Sequence, residues 1–298
     1  MAPIEQIQQG VEAGNFLALA KAISAIENNA DQSTQFLESL RPSSVPIIGI
    51  TGPPGAGKST LIAALIQDWV EAGKRIAVLS VDPSSPFHQG AILGDRIRMR
   101  EWYLHPQVFI RSLASRGHLG GLNSTTIELT TLLQCAGFDI IILETVGVGQ
   151  SEVEVAALAD TTLVVLVPEA GDDIQMMKSG LMEVADIFVV NKSDRPDAGA
   201  FAAHIRQMLL ENHATDTSVV QTIASQKEGM DELVKAIQDH QTKASHQSSK
   251  QRLMLSKTMQ LIVAKKMQQL EYADIEAALA KAMQASSFNI FEFAKQYY

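Results

Sequence analysis

The stretch "GITGPPGAGKST" (residues 49–60) decides the fold, because it joins an apolar run to a helical pattern. It contains G-x-x-x-x-G-K-S as Gly52, Gly57, Lys58 and Ser59, directly after the predicted strand "VPIIGIT". Glycines in such a turn let backbone N–H groups approach phosphate oxygens, and a helix N-terminus adds positive potential. The strand–loop–helix context therefore predicts a phosphate-binding loop in an α/β protein.

This loop supplies a cation and a metal ligand. Lys58 is placed to reach the β- and γ-phosphates of a nucleotide, and the Ser59 hydroxyl is placed to ligate Mg²⁺. We expect nucleotide contacts from the whole loop, which comprises Gly52, Pro53, Pro54, Gly55, Ala56, Gly57, Lys58, Ser59 and Thr60.

Outside the loop, short apolar runs alternate with helical patterns. The predicted strands are 45–51, 75–81, 138–144, 161–167, 186–191 and 218–223, with 107–111 as a weaker candidate. Nearly continuous β-branched runs are typical of strands covered on both faces, so we predict a doubly wound, mostly parallel sheet.

The chain divides by pattern into three parts. Residues 1–44 predict an N-terminal helical extension, and residues 45–240 predict the nucleotide-binding domain. The polar stretch "HQTKASHQSSKQ" then predicts a linker. Residues 241–298 predict a C-terminal helical extension, whose apolar stripe is a candidate dimerisation element.

The identity of the nucleotide base is predicted from "NKSD", which supplies Asn191, Lys192 and Asp194 after a strand. A carboxylate can accept hydrogen bonds from N1–H and the amino group of guanine, whereas adenine would leave it unpaired. GTP is therefore favoured over ATP. A looser match, "TIASQKEGMDEL", places Ile223, Ala224 and Ser225 for backbone contacts to the base. An ordinary strand-to-helix turn would explain that stretch nearly as well.

Three acidic residues are candidate ligands of Mg²⁺. Asp82 and Glu144 end predicted strands, and Asp95 lies in "ILGDRIRM", where it would also suit a helix cap or a solvated turn. In "ETVGVGQ", the N–H of Gly147 can contact a γ-phosphate, so loss of that phosphate would release the turn. Lys58 completes the predicted catalytic set with Asp82, Glu144 and Gly147.

With these residues assembled, the sequence resembles the MeaB/ArgK-type GTPases, the G-protein chaperones of adenosylcobalamin-dependent methylmalonyl-CoA mutase. The motifs that carry the resemblance are "GITGPPGAGKSTL", "AVLSVDPSS", "GAILGDRIRM", "GFDIIILETVGVGQSEVEVA" and "AGDDIQMMKSGLMEVADIFVVNKSD". The human relative is the methylmalonic aciduria type A protein.

The resemblance implies a homodimeric GTPase that docks on the mutase and gates delivery of intact cofactor. It assigns Lys58, Ser59, Asp82, Asp95 and Glu144 to the phosphate and magnesium site. It assigns Asn191, Lys192 and Asp194 to guanine recognition. It also implies an additional switch loop at residues 168–175. Val148 stands where many regulatory GTPases carry a water-orienting glutamine, so we expect slow hydrolysis in the absence of a partner.

The sequence is also compatible with other classes of protein. One is a kinase linked to amino-acid transport, an activity attached to ArgK-type sequences. Another is a metallochaperone GTPase, which usually offers cysteine and histidine clusters, whereas this chain has one cysteine and dispersed histidines. A scaffold with a vestigial nucleotide site would not need Lys58, Ser59 and Asp194.

Composition narrows the partners and the location. The formal net charge of -9 argues against a chain built chiefly to bind nucleic acid. Cys135 is the only cysteine, so no internal disulfide is expected. No apolar run approaches the ~20 residues that span a bilayer, and the first residues lack a secretory pattern. We therefore expect a cytoplasmic protein with GTP or GDP, but neither nucleic acid nor membrane, as a partner.

Overall fold

A computed structural model describes residues 4–28, 33–82, 99–114, 124–145, 155–156, 158–168, 182–212, 216–243, 278 and 281. The chain forms two compact units, Met1–Lys257 and Thr258–Tyr298. The division lies within the predicted C-terminal extension, and the domain boundaries after residues 44 and 240 stay predictions.

Seven parallel strands form one sheet in the order β3-β2-β4-β1-β5-β6-β7. Their bounds are β1 (Ile47–Thr51), β2 (Ile76–Asp82), β3 (Val108–Ala114), β4 (Ile140–Thr145), β5 (Thr161–Leu166), β6 (Ile187–Asn191) and β7 (Ser218–Thr222). The predicted doubly wound sheet is confirmed, and the weaker candidate at 107–111 corresponds to the edge strand β3.

Helices precede the sheet and connect its strands. The bounds are α1 (Ile4–Glu12), α2 (Phe16–Glu27), α3 (Ser33–Ser39), α4 (Lys58–Glu71), α5 (Ser124–Gln134), the short α6 (Met182–Val184), α7 (Ala198–Glu211) and α8 (Met230–Thr242). The first three occupy the region that the sequence predicted to be helical. No helix in the described parts of the chain is both long and apolar enough to cross a membrane.

Helices cover both faces of the sheet. Successive side chains of each strand point to opposite sides, so both sets are buried. In β5, Leu163 and Val165 pack in a core with helices α4 and α8, whereas Val164 and Leu166 pack in a core with α7. This two-sided burial explains the continuous apolar runs. It leaves the loops at the carboxyl ends of the strands as the place for polar chemistry.

The N-terminal helices are attached to the sheet through Arg75. Its guanidinium lies 5.7 Å from the ring centroid of Phe16 and 5.5 Å from that of Phe138. It also donates a hydrogen bond of 3.0 Å to the carbonyl of Gly14, in the turn between α1 and α2. One arginine therefore joins the helical hairpin to the residues that precede β2 and β4.

Gly229, which precedes α8, gives a prediction about stability. Its φ of 74° is unfavourable for residues with a side chain, and an added Cβ would overlap the carbonyl oxygen of Gln221. We expect Gly229→Ala to lower the free energy of unfolding by about 2–3 kcal/mol, measured by chemical denaturation.

The matched control is Gly199→Ala in α7. An added Cβ at Gly199 meets no atom within 4 Å. Because alanine favours helix more than glycine, we expect a gain of up to about 1 kcal/mol. Equal effects of the two substitutions would contradict the steric argument.

Candidate functional site

The carboxyl ends of β1, β4, β6 and β7 bring the predicted motifs together. The phosphate-loop residues 52–57 follow β1, Glu144 lies near the end of β4, and Asn191 ends β6. Residues 224–226, which form a 3-10 turn, follow β7. Contacts among these segments show that they form one site.

Lys58 begins α4 and is only 7% exposed. Its ammonium group donates hydrogen bonds to the carbonyl oxygens of Gly52 at 2.6 Å and Pro53 at 3.1 Å. The loop therefore folds around the lysine cation. An anionic ligand in this turn would meet a positive charge that is already in place.

Glu144 supplies a buried carboxylate next to the loop. It is 3% exposed, and its Oε1 accepts a hydrogen bond of 3.1 Å from the Ser59 hydroxyl. Its Oε2 accepts one of 3.1 Å from Ser80 on β2. Mg²⁺ prefers oxygen ligands such as carboxylates and hydroxyls. The donor set at Ser59 and Glu144 therefore fits a magnesium ion.

Two threonines at strand ends form a further buried contact. The Thr145 hydroxyl donates a hydrogen bond of 2.9 Å to the Thr51 hydroxyl. Thr51 directly precedes the phosphate loop. The contact thus joins the start of that loop to Thr145, which lies two residues before Gly147 in the sequence.

Sequence reasoning missed Ser80, Thr51 and Thr145. The available signal was a polar residue within an apolar strand run, such as the serine in "RIAVLSV". That signal shows that a hydroxyl is buried, but it does not show which group the hydroxyl contacts.

Asn191 connects the two halves of the site. Its Nδ2 donates a hydrogen bond of 2.8 Å to the carbonyl of Ala56 in the phosphate loop. Its Oδ1 accepts bonds of 3.2 Å from the Thr222 hydroxyl and the Ala224 N–H. Gly57 is needed beside it, because its φ is 91° and an added Cβ would overlap Nδ2 of Asn191.

The other residues of the "NKSD" motif are less buried. Lys192 donates a hydrogen bond of 2.8 Å to the carbonyl of Gly55. Asp194 is exposed, and no described residue bonds to its carboxylate. The carboxylate of Asp194 is therefore accessible to a nucleotide base.

Backbone contacts define the turn after β7. The N–H of Ile223 bonds to the carbonyl of Glu228 at 3.0 Å, and the N–H of Ala224 bonds to Asn191. A guanine contact by either group would share or replace these bonds. Ser225 is exposed. The predicted base contacts of these three residues stay predictions.

The same turn is linked to α4 by charge. The Lys227 ammonium lies 3.9 Å from carboxylate oxygens of Asp68 and Glu71. Burial raises the pKa of Asp68, and the nearby Lys227 opposes this rise. The base side of the site therefore contacts the helix that begins at the phosphate loop.

Several predicted residues lie outside the described parts of the chain. These are Asp95, Gly147, Val148, residues 169–175 of the proposed switch loop, and the side chain of Asp82. The backbone of Asp82 ends β2. The predicted metal-binding and catalytic roles of these residues stay predictions.

A phosphate loop on the central strand of a parallel sheet, with the "NKSD" motif two strands away, defines a P-loop GTPase. A family model described as methylmalonyl-CoA mutase-associated GTPase MeaB matches residues 19–278. The chain belongs to this MeaB family of GTPases, as the resemblance of its motifs predicted, and it is accordingly a GTP hydrolase.

Individual relatives agree with this assignment. A putative GTPase of Pyrococcus horikoshii is 39% identical over 89% of this chain and 87% of its own length. The mouse (Mus musculus) methylmalonic aciduria type A homolog, described as mitochondrial, is 38% identical over 64% of this chain and 50% of its own length. A crystal structure of a LAO/AO transport system kinase aligns with a TM-score of 0.69 and 27% identity, covering 99% of this chain and 96% of that one.

Proposed function

We propose that this GTPase is a G-protein chaperone of methylmalonyl-CoA mutase or a related adenosylcobalamin-dependent acyl-CoA mutase. It would gate the loading or the protection of the mutase cofactor. The observation that carries the proposal is the match of residues 19–278 to the mutase-associated GTPase family. The similarity to the mouse methylmalonic aciduria type A homolog supports it.

Each half of the site has a part in binding GTP. The N–H groups of the phosphate loop and the Lys58 ammonium would bind and neutralise the β- and γ-phosphates. Asn191 links the phosphate loop to the turn after β7 through its hydrogen bonds with Ala56 and Ala224. Asp194 would then read guanine, because its carboxylate is exposed at the base side of the site.

We further propose that Mg²⁺ binds with GTP, held by Ser59 and Glu144, with Asp82 and Asp95 as further ligands. The ion would neutralise charge on the phosphate oxygens. The chain provides a buried carboxylate whose Oε1 lies 3.1 Å from the Ser59 hydroxyl. This arrangement places oxygen donors at the start of α4, next to the turn in which Lys58 lies.

Asp194→Asn tests the choice of base. An asparagine amide cannot accept two hydrogen bonds from guanine, but it can donate one to the extra carbonyl of xanthine. We expect the ratio of GDP to XDP affinity to fall by about 10–100-fold, because hydrogen bonds to charged groups are strong. Competition binding with GDP and XDP measures the ratio.

Asp197→Asn is the matched control, since Asp197 is another exposed aspartate, three positions further along the same connection to α7. It should leave the ratio unchanged. Unchanged selectivity in Asp194→Asn would remove Asp194 from guanine recognition.

The chaperone role predicts a partner-dependent rate. We expect slow GTP hydrolysis by the isolated protein and faster hydrolysis when a client mutase is added, because Val148 cannot orient water. Single-turnover hydrolysis with and without candidate mutases measures this. Co-purification in GDP and in a non-hydrolysable GTP analogue identifies the client, and a fast rate for the isolated protein would count against the proposal.

The proposal includes a homodimer in which residues 241–298 supply the contact between subunits. Light scattering of the full chain, compared with a chain ending at residue 243, would test it. If the truncated protein remained dimeric, the contact between subunits would have to lie in another part of the chain.

A second candidate function is suggested by the similarity to the LAO/AO transport system kinase, which aligns over most of the chain. A protein kinase transfers the γ-phosphate to an amino-acid side chain, whereas a GTPase transfers it to water. Radiolabelled GTP therefore separates the two functions by the product, which is phosphoprotein or free phosphate.

A further inference from the structure

A buried serine contacts the carboxylate that we propose as a magnesium ligand. Ser80 is 2% exposed, and its Cα is paired in register with that of Glu144 across β2 and β4. Its hydroxyl donates a hydrogen bond of 3.1 Å to Oε2, whereas Ser59 contacts Oε1 of the same carboxylate. The two serines therefore hold opposite oxygens of one side chain.

Ser80 lies at the position where the buried face of β2 changes from apolar to polar side chains. Side chains two residues apart in a strand share a face, and Ile76 and Val78 on that face belong to the core beneath α4. On β4, Ile142 belongs to the same core and Glu144 follows two residues later. The apolar pattern thus changes to polar in both strands at one register position.

We propose that Ser80 is a positioning residue, which fixes the Glu144 carboxylate so that Oε1 faces Ser59 and the proposed Mg²⁺ position. The inference rests on the proposed magnesium site and adds a residue that does not itself touch the ion. Removing a donor from a buried carboxylate weakens the interactions that fix its orientation. Without Ser80, Oε2 would lose this hydrogen bond, and the carboxylate would be held less firmly in its orientation toward Ser59.

Ser80→Ala in the full-length chain tests this role. The probe is a fluorescent GDP analogue, whose binding is measured first in EDTA and then in a Mg²⁺ titration. We expect unchanged affinity in EDTA, and a Mg²⁺ concentration for half-maximal effect that rises by about 10-fold or more, as is typical when a partner of a metal ligand is removed. Unchanged Mg²⁺ dependence, or an equal loss of affinity in EDTA, would overturn the proposal.

Ser112→Ala is the matched control, because Ser112 pairs with Ser80 in register on the next strand, β3. It should leave the Mg²⁺ dependence unchanged. Ser80→Thr keeps a hydroxyl and should retain most of the Mg²⁺ affinity. If Ser80→Ala does not fold, Ser80→Cys fills similar space with a weak donor and carries the same expectation.

A double substitution separates this proposal from the magnesium site itself. If Ser80 acts through Glu144, adding Ser80→Ala to Glu144→Gln should cause no further loss of Mg²⁺ affinity. Normal Mg²⁺ dependence in Glu144→Gln alone would contradict the metal site. A strong effect of Glu144→Gln with none in Ser80→Ala would contradict only the positioning role, as would additive effects in the double variant.

Discussion

Lys58→Ala should reduce the rate constant of GTP hydrolysis by about 10²–10³-fold, the loss typical when one preorganised donor to a developing charge is removed. The ammonium group lies inside the phosphate loop, bound to the carbonyl oxygens of Gly52 and Pro53. Charge that develops on the phosphates during hydrolysis would be stabilised by this cation without a large rearrangement. Alanine removes the charge and leaves the loop without its central donor.

Single-turnover hydrolysis at saturating protein measures this effect separately from nucleotide affinity. Lys235→Ala on α8 is the matched control, because Lys235 is exposed and should leave the rate unchanged. Thermal unfolding establishes that Lys58→Ala is folded. A folded variant that hydrolyses GTP at the parent rate would show that the lysine has no part in the reaction.

Glu144→Gln should have the second largest effect, a loss of about 10²-fold or more in Mg²⁺-dependent hydrolysis. The substitution keeps the size of the side chain but removes the negative charge between Ser59 and Ser80. A neutral amide binds Mg²⁺ more weakly than a carboxylate. The amide can still bond with both hydroxyls, because each hydroxyl acts as donor or acceptor.

The measurement is the dependence of the hydrolysis rate on Mg²⁺ concentration, with GDP binding in EDTA as the reference for an intact nucleotide site. Glu232→Gln, at an exposed position in the first turn of α8, is the matched control. If Glu144→Gln retains the parent rate at all Mg²⁺ concentrations, the carboxylate does not assist the metal, and its burial needs another explanation.

The strands were predictable where their residues are buried on both faces. β1 and β5 consist entirely of buried residues, and their apolar runs were recognised directly. The edge strand β3 was the weaker candidate. Arg111 of that strand forms an ion pair with Glu27 of α2, a contact between residues far apart in the sequence.

The motif residues show the same division between local and tertiary information. The sequence located Asn191 from its place in "NKSD", and the resemblance assigned it to guanine recognition. The structure shows its amide bonded on both sides within the protein, to Ala56, Thr222 and Ala224. A tetrapeptide motif cannot show this, because each of those partners lies on another segment.

The sequence by itself determined the phosphate loop, the strand segments and the motifs at the strand ends, since each depends on neighbours within a few residues. Only the tertiary structure decided that Ser80 lies opposite Glu144 and that Thr145 bonds to Thr51. The physical reason is strand register. The order and offset of strands are set by packing across the whole core, and a shift of one residue would turn these side chains to the other face.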